Sequence, residues 1–237
     1  MDILSYILGK KSGSGGGGGI TLDDWFSGLV PVGEATFKAK AKIPSRAIGG
    51  RTNMTKLTID LTDGYSMSGW SVQSCASLTT VVIIFPTPYT NDYLPGSTVY
   101  DCNNVETIVL RGQFIGTSNQ TFMALSKLST CDIEYCDRRI DQNTFANTAL
   151  STLILRQNSV AKLNNTNAFN NTYFASGKSG GDIYIPKTLY DALGTGTESD
   201  YKAASNWSTM DSYGTITWHA IEGSYYETHY ADGTLIK

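Results

Sequence analysis

One six-residue pattern, written six times, constrains the fold of this chain more than any other feature. It occupies residues 54–59 (MTKLTI), 78–83 (LTTVVI), 105–110 (VETIVL), 128–133 (LSTCDI), 150–155 (LSTLIL) and 180–185 (GGDIYI). Apolar residues hold the first, fourth and sixth places in five of the six copies, and the second and third places are polar or small in all of them. Successive copies start 24, 27, 23, 22 and 30 residues apart. A period in that range marks a solenoid.

A second register travels with the first. Six residues before a copy stands an apolar residue, and three before it usually a small or apolar one: Ile48 and Arg51, Val72 and Cys75, Val99 and Cys102, Phe122 and Leu125. Phe145 precedes Leu150 by five, so that turn is one residue short. Each unit reads as a strand with its fourth and sixth places inward, a variable loop, and a compact turn plugged by one large and one small side chain. A lone unit cannot bury its apolar side. Stacked units share one core, with neighbouring strands about 4.8 Å apart and each inward residue on its equivalent in the next rung. The expected fold is a β-rich solenoid over residues 36–186, a horseshoe or rod of short strands and turns with short helices at its ends.

Residues 43–59 (IPSRAIGGRTNMTKLTI), 143–155 (NTFANTALSTLIL), 182–193 (DIYIPKTLYDAL) and 200–209 (DYKAASNWST) carry a resemblance. They look like the BspA-like leucine-rich repeat family, whose units resemble "IP..AF..C..L..L.I" and whose arrays often close with a segment like "IYVP..L...YK.A.NW". The resemblance spans roughly residues 36–210, with Ile48 and Val72 where the family usually has Phe. It implies a β-rich horseshoe or rod used for recognition, in bacterial surface proteins and in phage or prophage structural proteins. It implies no chemistry.

With 237 residues, 41% hydrophobic and 11% aromatic, the chain can build a sizeable core and is not a disordered polypeptide. Only 16% of it is charged, below the usual quarter, so Asn, Ser, Thr and Tyr supply the surface. The net charge is −3 and no basic run follows Lys42, so no nucleic-acid partner is expected. Lys38, Lys40 and Lys42 alternate with Phe37, Ala39, Ala41 and Ile43. That alternation reads as a half-exposed first strand whose lysines discourage further pairing.

Residues 1–19 form a separate unit. Ile3, Leu4, Ile7 and Leu8 lie on one helical face of MDILSYILGKK, and the following SGSGGGGG is a flexible tether. Asp2 leads and the lysines follow, the reverse of a secretory signal, and no run approaches the ~20 apolar residues that span a membrane. An amphipathic peptide on a glycine leash suits attachment to a larger assembly. Residues 20–35 are expected to cap the first rung. Residues 187–237 are expected to close the other end with helical turns at 187–193 and 201–207, a strand at 215–221 and a hairpin around Asp232-Gly233.

Little in the chain points to catalysis. There is no Walker-type phosphate loop, and nothing in the spacing brings a cysteine or acidic pair to the two histidines, His219 and His229. Asp132, Glu134, Asp137 and Asp141 lack the spacing of a cation loop and are expected to form a solvated acidic patch. Cys75 and Cys102 hold equivalent places and should stack as small buried groups, with Cys131 inward and all four thiols reduced. The glycosylation sequons at Asn53, Asn119, Asn164, Asn170 and Asn206 are read as incidental. No cofactor or metal is expected.

With the fourth and sixth places inward, the third, fifth and seventh project outward. Thr80, Thr107, Thr130 and Thr152 then form a hydroxyl ladder, while Arg111, Glu134 and Arg156 alternate in sign along another column. Together with Tyr184, and with Tyr89 and Tyr93 on the longer loop 86–96, these are the candidate binding residues, although threonine also simply suits an exposed strand. The expected protein is a non-enzymatic phage or prophage virion component, such as a tail or head fibre, made in the bacterial cytoplasm. It would join other virion proteins through residues 1–19 and present the solenoid to a host-surface glycan or protein, with homo-oligomerisation left open. A bacterial surface adhesin or interaction module is the alternative, and a cell-wall glycan-acting enzyme a more distant one.

Overall fold

The computed structural model describes residues 32–88, 93–178 and 180–236. In chain order the strands of this region are β1 (Gly33–Lys38), β2 (Ile48–Gly49), β3 (Met54–Asp60), β4 (Val72–Gln73), β5 (Thr80–Ile84), β6 (Val99–Tyr100), β7 (Thr107–Gly116), β8 (Thr130–Arg139), β9 (Thr152–Leu155), β10 (Gly181–Ile185) and β11 (Ile216–Ala220). Eight of them form one parallel sheet in the order β1-β3-β5-β7-β8-β9-β10-β11, and β2-β4-β6 form a second. The chain is a β-solenoid, as the hexad period requires.

The lateral register is the one the hexad dictates. Leu57, Val81, Ile108, Cys131, Leu153 and Ile183 are successive neighbours, and so are Ile59, Ile83, Leu110, Ile133 and Leu155. All of these are fully buried. Parallel pairing demands a long crossover. Here the crossover is the remainder of each rung, and it brings the second apolar column inward. Ile48, Val72 and Val99 pair along the short sheet, and Phe122, Phe145 and Phe169 continue the column as stacked rings with centroids 5.8 and 5.4 Å apart. A third side of the rungs is marked by the parallel bridges Ile43–Met67, Leu94–Thr117 and Ile140–Leu163.

Two corners of the rung are made by left-handed residues that recur with the repeat. One column holds Arg46, Trp70, Ser97, Gln120 and Asn143, the other Gly50, Ser74, Asp101, Ala124, Asn147 and Asn171, all with positive φ. The conformation costs a non-glycine residue about 1–2 kcal/mol. Rung-to-rung bonds offset it: Arg46 N–H donates to the Trp70 carbonyl, Trp70 N–H to that of Ser97, and Ser97 N–H to that of Gln120, at 2.8–3.0 Å. Asn and Asp favour this conformation, and here their side chains also bond along the column, with Asn171 donating to Asn147 at 2.7 Å.

Strands β7 and β8 run past the hexad because Gly112 places a register shift between Leu110 and Gln113. Its φ is +77° and a Cβ there would collide with the Phe85 carbonyl oxygen, so only glycine fits. At the amino-terminal edge β1 ends at Lys38, and Ala41 is exposed, so the apolar alternation stops at Ala39 and resumes inward at Ile43. At the other end the short helices α1 (Lys187–Tyr190) and α2 (Trp207–Asp211) flank a plug formed by Tyr201 and Trp207, both fully buried. Trp207 Nε1 donates to the Ala161 carbonyl at 2.6 Å, and Ala161 N–H donates to the Tyr201 hydroxyl at 2.9 Å. One backbone unit of the solenoid is thus held from both sides.

Candidate functional site

The hexad leaves the outward side of the long sheet with apolar fifth places at Val82, Val109 and Ile154, and these are 0–1% exposed. What covers them is the chain's own tail. After β11 a 3-10 turn (Tyr225–Glu227) leads into a small hairpin in which His229 bridges Leu235, with the turn at Asp232-Gly233, and this strap lies across the sheet. Tyr230 is its centre. The guanidinium of Arg111 lies 4.2 Å from the Tyr230 ring centroid and that of Arg156 4.9 Å, while the hydroxyl donates to Glu134 Oε2 at 3.0 Å.

Charge locks the strap in place. Asp232 receives Lys56 Nζ at 2.9 Å and Arg111 Nη2 at 2.7 Å, with its own side chain 1% exposed. Arg156 grips both carboxylate oxygens of Asp132 at 2.6 and 2.8 Å and donates to the carbonyls of Tyr226 and His229 at 2.7 and 2.8 Å. The Ala231 N–H adds a bond to Asp132 Oδ2 at 2.8 Å. Asp132 is therefore no part of a solvated acidic patch. It is fully buried, because the strap excludes water from the outward face and Arg156 supplies the compensating charge.

The titration of Asp232 follows from this setting. Burial works to raise its pKa, but hydrogen bonds from Lys56 and Thr234, with the Arg111 charge, outweigh it and hold the carboxyl below the usual range. A carboxylate depressed in this way contributes stability above its unfolded value, near pH ~4, and loses it as pH falls through the folded value. Asp132 has the opposite sign, since burial raises it despite Arg156, so it does not produce the acid loss. Melting curves should accordingly show strap destabilisation that sets in as pH falls through the ordinary carboxylate range and grows below it, with a flatter acid limb in Asp232→Asn. An unchanged acid limb in that variant would assign the loss to other carboxylates.

Of the candidate residues named from the sequence, Arg111, Glu134 and Arg156 thus face the strap. Tyr184 is stacked on His219 (4.6 Å) and met edge-on by Tyr226 (4.8 Å). Thr80, Thr107, Thr130 and Thr152 form the ladder in lateral register, each half-buried. Tyr89, and Ile3, Leu4, Ile7 and Leu8, lie outside the described residues. His219 Nε2 is 2.7 Å from Asp182 Oδ1, and His229 stacks on Tyr225 at 4.5 Å. The four cysteines are free and buried, and burial pushes the Cys136 thiol up to about 12. No group of three or more His, Cys, Asp or Glu among the described residues is placed to hold a metal.

Tyr93 belongs to a different surface. It walls a groove of about 660 Å³ with Arg138, Arg139 and Lys162, between the Ile140–Leu163 bridge and the cap segment 204–207. The Arg138-Arg139 dipeptide and a lysine one rung later were the signal for it, since residues about 24 apart in this repeat become lateral neighbours.

The long parallel sheet, its corner columns and its own covering strap define a β-solenoid closed on its outward face. Compared with protein-family models, curated proteins and solved structures, the chain matches none of them.

Proposed function

We propose that this chain is a non-enzymatic recognition module carried by a phage or prophage virion. Residues 1–19 attach it to other virion proteins, and the solenoid is the part presented to a host-surface glycan or protein. The observation that carries this reading is where the polar groups go. The charged and aromatic side chains of the sheet face serve the fold, while an open, cation-rimmed groove remains at the carboxy-terminal end. A scaffold that uses its side chains to stay rigid and keeps a concave surface free suits binding, because a preorganised surface avoids the entropy of ordering on contact. The resemblance to BspA-like repeats points to the same use.

The test compares the full chain with a variant lacking residues 1–19, by light scattering and by co-sedimentation with virion proteins and with host cells. The expected result is that the full chain assembles and the shortened one is a folded monomer that still binds cells. Identical monomers that sediment with neither would overturn the reading.

A further inference from the structure

We propose that the groove between Tyr93 and the cap segment 204–207 binds a short, carboxylated oligosaccharide. This rests on the recognition reading above and names the ligand class and the place. The floor is apolar and fixed: Ala161, Leu163 and Trp207 are buried, and Trp207 is tied to the Ala161 carbonyl. The volume of about 660 Å³ lies within the range of pockets that enclose small ligands.

The rim is cationic by construction of the repeat. Arg139 and Lys162 each precede a residue of the Ile140–Leu163 bridge, and Ile140 N–H donates to the Lys162 carbonyl at 2.8 Å. Equivalent places in adjacent rungs lie about 4.8 Å apart along the sheet direction, so two cations stand side by side, with Arg138 next to them. Arg139 is partly engaged, 3.3 Å from Asp141 and 5.8 Å from the Tyr93 ring centroid. Arg138 and Lys162 are exposed and form no ion pair with a described residue. Among the described residues that line the groove, Asp137 is the one carboxylate.

The remaining groups select a sugar over other anions. Tyr93 offers an aromatic wall with a polar tip. Asn164 Nδ2 donates to Asp141 at 2.6 Å and Asn206 Nδ2 to the Leu163 and Asn164 carbonyls at 2.8 and 3.2 Å, so both side chains are held in place and each offers its amide oxygen as an acceptor. Amides and an aromatic wall suit hydroxyls and a ring face, while guanidinium groups pair a carboxylate in a fixed fork. The cationic patch is confined to a few residues on a chain of net charge −3, and attraction between exposed charges is screened beyond about 10 Å. A long polyanion would gain little there; a short acidic sugar matches the extent of the charge.

The experiment titrates the full chain with trigalacturonate, sialyllactose and a hyaluronan tetrasaccharide. Maltotriose and inorganic phosphate serve as controls, and binding is followed by calorimetry. At least one carboxylated sugar should bind, with maltotriose and phosphate at least 10-fold weaker. Arg138→Ala with Lys162→Ala should weaken that binding at least 10-fold without moving the melting temperature, since both side chains are exposed. Failure of all three acidic sugars, equal binding of maltotriose or phosphate, or an unaffected double variant would overturn the proposal. Cell binding separates the two readings. Cells bound equally by wild type and double variant leave recognition standing without this groove, whereas an acidic sugar bound by a chain that ignores host cells leaves the groove without the host role.

Discussion

Asp132→Ala is expected to destabilise the protein by about 3–5 kcal/mol, the range for removing one partner of a buried ion pair. Asp132 is 0% exposed at its side chain and Arg156 only 9%. Removing the carboxylate strands the Arg156 charge beneath the strap and leaves the Ala231 N–H without its acceptor. The strap should detach with it, exposing Val82, Val109 and Ile154, so limited proteolysis should cut after residue 221 before the body of the solenoid is digested. Replacing both partners, Asp132→Leu with Arg156→Met, should recover much of the loss, because no buried charge then remains unpaired. Denaturant midpoints decide the matter. A loss below about 1 kcal/mol would mean that the pair behaves as an exposed salt bridge and that the strap is loosely held.

Phe145→Ala should cost a similar amount, about 3–5 kcal/mol, through a different mechanism. Phe145 is fully buried and lies between Phe122 and Phe169, with centroids 5.8 and 5.4 Å away. In a solenoid each rung touches mainly its neighbours, so a cavity at that position weakens the two interfaces on which the carboxy-terminal rungs depend. The melting temperature should fall by on the order of 10 °C, and Phe145→Leu by less than half as much. An alanine variant that melts with the wild type would show that the column relaxes to fill the gap and that the aromatic stack is not a principal support.

The two variants also mark what was legible in the sequence. Phe145 was recognisable because it repeats: it stands in the column of Ile48, Val72, Val99 and Phe122, and periodic burial leaves a periodic trace. The inward set Leu57, Val81, Ile108, Cys131 and Leu153 was recognisable for the same reason. The partners of Asp132 were not. Ala231 lies 99 residues from Asp132, and Asp232 lies 121 residues from Arg111. Nothing in the alternation of a strand states which distant segment will cover it.

The fifth places of the hexads carry a further signal. TVVII, TIVL and TLIL are apolar at the fifth place as well as at the fourth and sixth, which is the composition of strands covered on both faces. A strictly one-sided sheet would have placed polar groups there. Cover over those places sets Arg111, Glu134 and Arg156 against the chain's own strap.

By itself the sequence determined the repeat, its register and the identity of the inward columns, because stacking equivalent rungs is the one arrangement that buries every hexad at once. Only the tertiary structure decided that the outward face of the sheet is covered and that a groove stays open on the third side of the rungs. That outcome depends on long-range pairing of charges and aromatic rings between the tail and the middle rungs, and on the groove formed where the last bridge of the third side meets the cap.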